Sequence, residues 1–196
     1  MSSAARPLPA PRFGDDERAE LFDLIATRSF RYGRFTLSSG AESNLYFNLK
    51  PTMMHPRGAY LAARAFLDVV HAEGATHVGG LEMGAVPLIG AMAAVGESEA
   101  RPVRTFFIRK QAKAHGTRDL LEGLAADETL QDALVVVADD VATSGASMLR
   151  TVEAARSAGA RVGAALALVD REEWAAELLA GRDVRLLAVF SAREFA

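Results

Sequence analysis

Leu134-Val135-Val136-Val137-Ala138-Asp139-Asp140-Val141-Ala142-Thr143-Ser144-Gly145-Ala146-Ser147 decides how this chain is read. The first five residues are apolar without alternation, the pattern of a strand covered on both faces in a parallel sheet. A helical stretch from Ser147 to Ala158 follows and is closed by Gly159. Strand, small-residue turn and helix in that order predict a βα unit with a ligand at the carboxyl end of its strand. Asp139 and Asp140 fall at that edge, where they can hold hydroxyl-rich or cationic groups. Val141 and Ala142 lead into Thr143, Ser144, Gly145, Ala146 and Ser147, a run whose backbone N–H groups can face inward. Together with the positive end of the following helix they make a place for a phosphate monoester. Carboxylates on ribose hydroxyls beside amides on a terminal phosphate describe a ribose 5-phosphate. For any short piece of the string, an ordinary turn with Ser147 as N-cap and two solvated aspartates reads as well. The whole string behind a buried strand favours the phosphate site. A P-loop is excluded, because no Gly-Lys-Ser/Thr is present, and so is a Gly-x-Gly-x-x-Gly dinucleotide loop.

Outward from this unit the same alternation continues. Strands are expected at His77–Leu81, Val103–Ile108, Arg161–Val169 and Arg185–Phe190, and helices at Val86–Val95 and Glu172–Leu179. Nearer the start, Asp15–Arg31 has an acidic first turn and Leu21, Phe22, Leu24 and Ile25 at helical spacing. Two alternating segments within residues 35–50 flank Ser-Ser-Gly-Ala-Glu-Ser and predict a hairpin-like pair. A helix over Arg57–Glu73, stopped by Gly74, follows. The expected fold class is α/β, a doubly wound, mainly parallel sheet flanked by helices. Met1–Arg12 reads as a loose tail, and residues 13–196 as one domain: a small N-terminal hood over about 13–55 and a core over about 56–196.

Composition narrows the function. The 196 residues carry 22 Lys+Arg against 25 Asp+Glu, a net charge of -3, which argues against broad nucleic-acid binding. With no cysteine there are no disulfides, thiolate metal sites or cysteine nucleophile. His55, His71, His77 and His115 show no metal-ligand spacing. No run reaches the roughly 18 apolar residues of a membrane span, and the start lacks a signal-peptide pattern, so the cytoplasm is the expected compartment. One stretch departs from the alternation. Arg109, Lys110, Lys113, His115 and Arg118 crowd into a long polar segment of an otherwise acidic chain. Alone, that segment reads as a solvated charged loop. Beside a ribose-phosphate site it reads as a basic loop able to stabilise charge on a departing polyanion, with His115 as a hydrogen-bond or proton donor.

Val135–Ser147 resembles the phosphoribosyl pyrophosphate signature of type I phosphoribosyltransferases. Phe35–Asn48, Gly79-Gly80-Leu81-Glu82-Met83-Gly84-Ala85-Val86-Pro87-Leu88, Arg109–Gly116 and Asp170-Arg171-Glu172 are similar to the orotate-specific branch of that family. These segments lie in the family's order and span roughly residues 30–175. The resemblance implies the type I phosphoribosyltransferase fold, with transfer of ribose 5-phosphate from phosphoribosyl pyrophosphate to orotate in pyrimidine synthesis. It implies a homodimer whose catalytic loop, about 109–124, reaches the partner's site. Lys113, His115 and Asp140 would be catalytic. Arg109, Lys110, Lys113, His115, Asp139, Asp140 and residues 141–147 would bind phosphoribosyl pyrophosphate. Thr143, Arg171, Tyr46 and Phe47 would bind orotate, the two aromatics largely through their backbone. Mg²⁺ would be held mainly through the substrate, with no protein metal site. Ser38 and Met83 stand where many relatives carry lysine, which weakens or redistributes anion contacts. Trp174, often glycine in relatives, reads as packing. Transfer to another base, and a non-catalytic sensor of phosphoribosyl pyrophosphate, are the alternative functions.

Overall fold

In the computed structural model, which describes residues 13–36, 42–111 and 120–196, the acidic first turn Asp15, Asp16 and Glu17 opens helix α1 (Asp15–Arg28). Leu21 and Ile25, four residues apart, are its buried stripe. The helix stops three residues earlier than expected because Phe30 is claimed by a strand. Strand β1 (Phe30–Thr36) runs antiparallel to β2 (Glu42–Phe47), with Phe30 opposite Phe47. The rings of Phe30 and Phe47 lie 5.1 Å apart, and both pack on Phe195. That aromatic burial outweighs the helical pattern of the preceding residues.

A single helical turn, α2 (Lys50–Met53), precedes α3 (Pro56–Ala72). Proline suits the first turn of α3, where its missing N–H costs no helical bond. The helix ends in paired closing bonds, Gly74 N–H to the His71 carbonyl and Ala75 N–H to that of Val70. Strand β3 (His77–Leu81) leads to α4 (Val86–Ser98) and β4 (Arg104–Ile108). A two-residue strand, β5 (Leu121–Glu122), lies within the expected basic loop. Strand β6 (Leu134–Ala142), α5 (Ala146–Ser157), β7 (Arg161–Asp170), α6 (Ala175–Ala180) and β8 (Arg185–Ser191) follow, and a 3-10 turn covers Ala192–Phe195.

The six-stranded sheet has the order β5-β4-β3-β6-β7-β8, parallel except for edge strand β5. Val135 and Val137 face one side, with Phe106, Ile108 and the α5 residues Met148 and Val152. Val136 faces the other, with Leu61, Phe66, Leu88 and Met92 from α3 and α4. The unbroken apolar run of β6 is thus explained: alternate residues feed two different cores. The β1–β2 hairpin joins this body through Phe195, which also contacts Phe22 and Phe190.

Candidate active site

The chain leaves β3 toward β4 on one side and returns to β6 on the other, so the winding direction reverses between β3 and β6. Ligands of doubly wound sheets bind at such a point, outside the carboxyl ends of the strands. The ladder between β3 and β6 ends at Gly79 opposite Val137, whereas β6 stays paired to β7 as far as Ala142 opposite Asp170. The acidic pair, expected just beyond a strand ending at Ala138, therefore stands on the strand itself. Its support is the long β7, which supplies ladder partners after β3 has turned away.

Asp139 is 5% exposed. One of its oxygens accepts the Asp140 N–H at 2.9 Å, and the other accepts the Ser147 hydroxyl. Burial first, and the neighbouring Asp140 charge second, push its carboxyl up to about 7 against those two hydrogen bonds. Asp140 is half-buried and caps the Val141 N–H at 2.9 Å. Across the cleft, the β3–α4 turn brings Gly84 so close that a Cβ there would lie 3.0 Å from Asp140 Oδ1 and 3.1 Å from Asp139 Oδ1. Only a residue without a side chain lets the two loops share this space without displacing a carboxylate. The same turn carries a cis peptide between Glu82 and Met83, and Met83 is 58% exposed.

Thr143, Ser144 and Gly145 connect β6 to α5. Gly145 has φ +78, and a Cβ on it would come within 2.9 Å of the Ala175 Cα. Helix α5 has Gly145 as its N-cap residue, so no side chain caps it there, and Ser147, the second helical residue, turns its hydroxyl to Asp139. The Ser144 hydroxyl accepts the Ala146 N–H at 3.4 Å, and the other amides of this helix terminus can face an anion. Arg171 is placed beside this loop by its own N–H, which donates to the Ala142 carbonyl at 2.9 Å. Its side chain, 10% exposed, pairs with Glu173 at 3.0 Å. Asp170 is engaged elsewhere, accepting the Glu172 N–H, and Glu172 pairs with Arg193. Trp174 donates its N–H to the Thr143 carbonyl at 3.3 Å, but its side chain is 67% exposed. The packing role expected for it is therefore wrong. Glu172 adopts a left-handed φ of +57 and α6 starts only at Ala175, which leaves the indole outside the core.

The basic segment enters the same edge from β4. Arg109 donates its N–H to the Leu120 carbonyl at 2.8 Å, and its guanidinium lies 3.9 Å from Glu122. The Lys110 N–H donates to Glu82 Oε1 at 2.7 Å. Lys113 and His115 lie outside the described residues, as does Ser38. In the hairpin, Tyr46 and Phe47 point to opposite faces. Phe47 belongs to the aromatic cluster on Phe195, while the half-exposed Tyr46 stacks on Phe35 at 5.2 Å. Because Phe195 follows β8, the hairpin is anchored at the β8 end of the same sheet edge.

The structure thus gathers Asp139, Asp140, residues 141–147, Arg171, Arg109 and Lys110 along one edge. Three participants have no individual role in the sequence analysis: Gly84, whose part is only spatial, Glu82, which accepts the Lys110 N–H, and Arg150, whose guanidinium donates to the Arg109 and Lys110 carbonyls. Among the described residues no group of three His, Cys, Asp or Glu side chains could hold a metal ion. No described helix is long and apolar enough to cross a membrane.

Comparison with known proteins gives concordant matches. The model of the phosphoribosyl transferase domain family matches residues 55–180. The orotate phosphoribosyltransferase of Bradyrhizobium sp. (strain ORS 278) is 48% identical over 178 residues, covering 91% of this chain and 96% of the relative. A crystal structure of Mycobacterium tuberculosis H37Rv orotate phosphoribosyltransferase has a TM-score of 0.79 at 33% identity, covering 92% of this chain and 99% of that one. Another structure of that enzyme, in complex with 5-phospho-alpha-D-ribosyl 1-diphosphate, has a TM-score of 0.74 at 26% identity over 93% of both chains.

Proposed function

The chain belongs to the phosphoribosyltransferase family, and from that premise we propose that it is an orotate phosphoribosyltransferase. It joins orotate to the ribose 5-phosphate of phosphoribosyl pyrophosphate, giving orotidine 5′-phosphate and pyrophosphate, a step of pyrimidine synthesis. The observation that carries the assignment is the carboxylate pair held against Gly84 next to the hydroxyl-rich N-terminus of α5.

In this reading the amides of residues 143–147 hold the 5′-phosphate at the helix terminus. Asp139 and Asp140 accept the ribose hydroxyls and place negative charge beside the ring. The bond from ribose C1 to pyrophosphate breaks as the sugar develops oxocarbenium character, and the orotate ring nitrogen, which is readily deprotonated, gives its proton to solvent and forms the new bond. Charge builds on the departing pyrophosphate, so cations that meet it there stabilise the transition state more than the ground state. Arg109 and Lys110 supply such cations from the stem of the basic segment. Lys113 and His115 join them in the family resemblance, with His115 as hydrogen-bond or proton donor. The Arg171 guanidinium suits the orotate carboxylate, which it would bind bidentately in exchange for Glu173. Thr143 stands beside it, and the Tyr46–Phe47 backbone would cover the base.

Two carboxylates with no further cage of ligands among the described residues fit a magnesium ion that keeps mainly substrate oxygens and water, with Asp140 the more accessible of the pair. When bound, that ion neutralises pyrophosphate charge. The reading includes a homodimer that shares the basic loop, supported by the family resemblance, and a cytoplasmic location suited to its soluble substrates.

Depletion of orotate, followed with phosphoribosyl pyrophosphate present and with or without magnesium, tests the proposal. Orotate should disappear only when both other components are present. Consumption of adenine or another base in its place, with orotate untouched, would overturn the assignment.

A further inference from the structure

The peptide unit between Arg109 and Lys110 is gripped from both sides. Its N–H, on Lys110, donates to Glu82 Oε1 at 2.7 Å. Its carbonyl, on Arg109, accepts from Arg150 Nη2 at 3.3 Å, and the same nitrogen also reaches the Lys110 carbonyl. The N–H and C=O of a trans peptide point in opposite directions from one rigid plane. A donor on one side and an acceptor on the other therefore fix its rotation, which sets ψ of Arg109 and φ of Lys110 together. The preceding plane is fixed as well, since the Arg109 N–H donates to the Leu120 carbonyl at 2.8 Å. Both dihedrals of Arg109 are thus determined, and with them the direction in which its side chain leaves the backbone.

The two grips come from different parts of the site. Glu82 belongs to the β3–α4 turn that faces the acidic pair through Gly84. Arg150 lies one turn into α5, the helix whose N-terminus is the phosphate site. Glu82 is half-buried, and its backbone is itself tied to β4, its N–H donating to the Ile108 carbonyl at 2.9 Å. We propose that Glu82 and Arg150 are positioning residues which, through this one peptide unit, aim Arg109 and Lys110 at the pyrophosphate end of the substrate. The inference rests on the assignment of Arg109 and Lys110 to that substrate. It goes beyond it in naming two residues that act without touching the substrate.

The test is steady-state kinetics of Glu82→Ala, Glu82→Gln, Arg150→Ala, Arg150→Lys and the double variant Glu82→Ala/Arg150→Ala, with thermal unfolding of each. Loss of one charge-assisted hydrogen bond should lower kcat/KM for phosphoribosyl pyrophosphate about tenfold. The KM for orotate, set on the Arg171 flank, should stay unchanged. Glu82→Gln retains an acceptor and should restore most of the loss, whereas Arg150→Lys, with no fork, should restore part of it. Because both residues hold one plane, the double variant should be about as impaired as either single one, rather than about a hundredfold impaired. Multiplying effects, or equal losses for both substrates that follow the unfolding midpoint, would overturn the inference. Arg109→Ala and Lys110→Ala are measured alongside. If they leave kcat/KM for phosphoribosyl pyrophosphate unchanged, the assignment of those cations fails and the inference with it. If they lower it while the Glu82 and Arg150 variants match the parent enzyme, the positioning inference alone is overturned.

Discussion

Replacing Asp139 by asparagine should change how stability depends on pH, in a direction opposite to that of most carboxylates. Asp139 is the most buried acidic side chain among the described residues, and its carboxyl is pushed from 3.8 up to about 7. Between those values the folded protein holds a proton that the unfolded chain has released. Stability must therefore fall as pH rises through that window, with the full cost present above pH 7 and none below about pH 4. From pH 5 to pH 8 this single group accounts for roughly 2 to 3 kcal/mol. Asparagine keeps an acceptor for either the Ser147 hydroxyl or the Asp140 N–H but carries no charge. Urea unfolding of both proteins, at one protomer concentration across pH 5 to 8, gives the two stability curves. The asparagine protein can start lower because one donor loses its acceptor. Its stability relative to the parent should nevertheless climb by that amount. Parallel curves, or a gap moving the other way, would show that Asp139 is an ordinary ionised carboxylate and that its burial has been misjudged.

Other outcomes follow from the same geometry. Lys113→Ala should lower kcat about a hundredfold or more with the unfolding midpoint unchanged, as expected for a charge that meets the leaving group; unaltered turnover would remove the basic segment from the chemistry. Arg171→Lys should raise the KM for orotate by about tenfold while leaving that for phosphoribosyl pyrophosphate alone, since an ammonium replaces a bidentate fork. Gly145→Ala should destabilise by at least about 1 kcal/mol, because φ is +78 and Ala175 occupies the space a Cβ needs; calorimetry showing no change would contradict the loop conformation. Trp174→Phe should leave stability within about 0.5 kcal/mol, as its exposure implies.

How much of this was legible depends on whether each feature is local. The strands β3, β4, β7 and β8 could be read to within a residue or two, because apolar runs between turn residues mark them. Strand β6 runs four residues past its apolar stretch: Asp139 and Asp140 end the apolar run, and only pairing with β7 carries the strand past them. The end of α1 departs from the helical pattern because Phe30 obeys a distant aromatic cluster rather than its neighbours. Strand β5 is two residues long, too short for any periodicity. In the site, the acidic pair, the hydroxyl-rich turn and Arg171 were visible as residue types in order. The bond from Ser147 to Asp139 was not, since the same serine would suit a helix cap. Nor was the contact of Gly84 with the carboxylates, which depends on a loop some fifty-five residues away in the chain.

The early end of the β3–β6 ladder bears on how such a cleft can be lost. Its opening is set where the two strands part: beyond Gly79, β3 runs on paired only to β4, and beyond Val137, β6 runs on paired only to β7. Nothing polar has to be mutated to erase it. A change that kept β3 alongside β6 past Gly79, so that Gly80 and Leu81 paired with Ala138 and Asp139, would seal the fork and silence a molecule in which every named side chain is still present. Drift in where two strands part is therefore a route to an inactive descendant beside the loss of an aspartate.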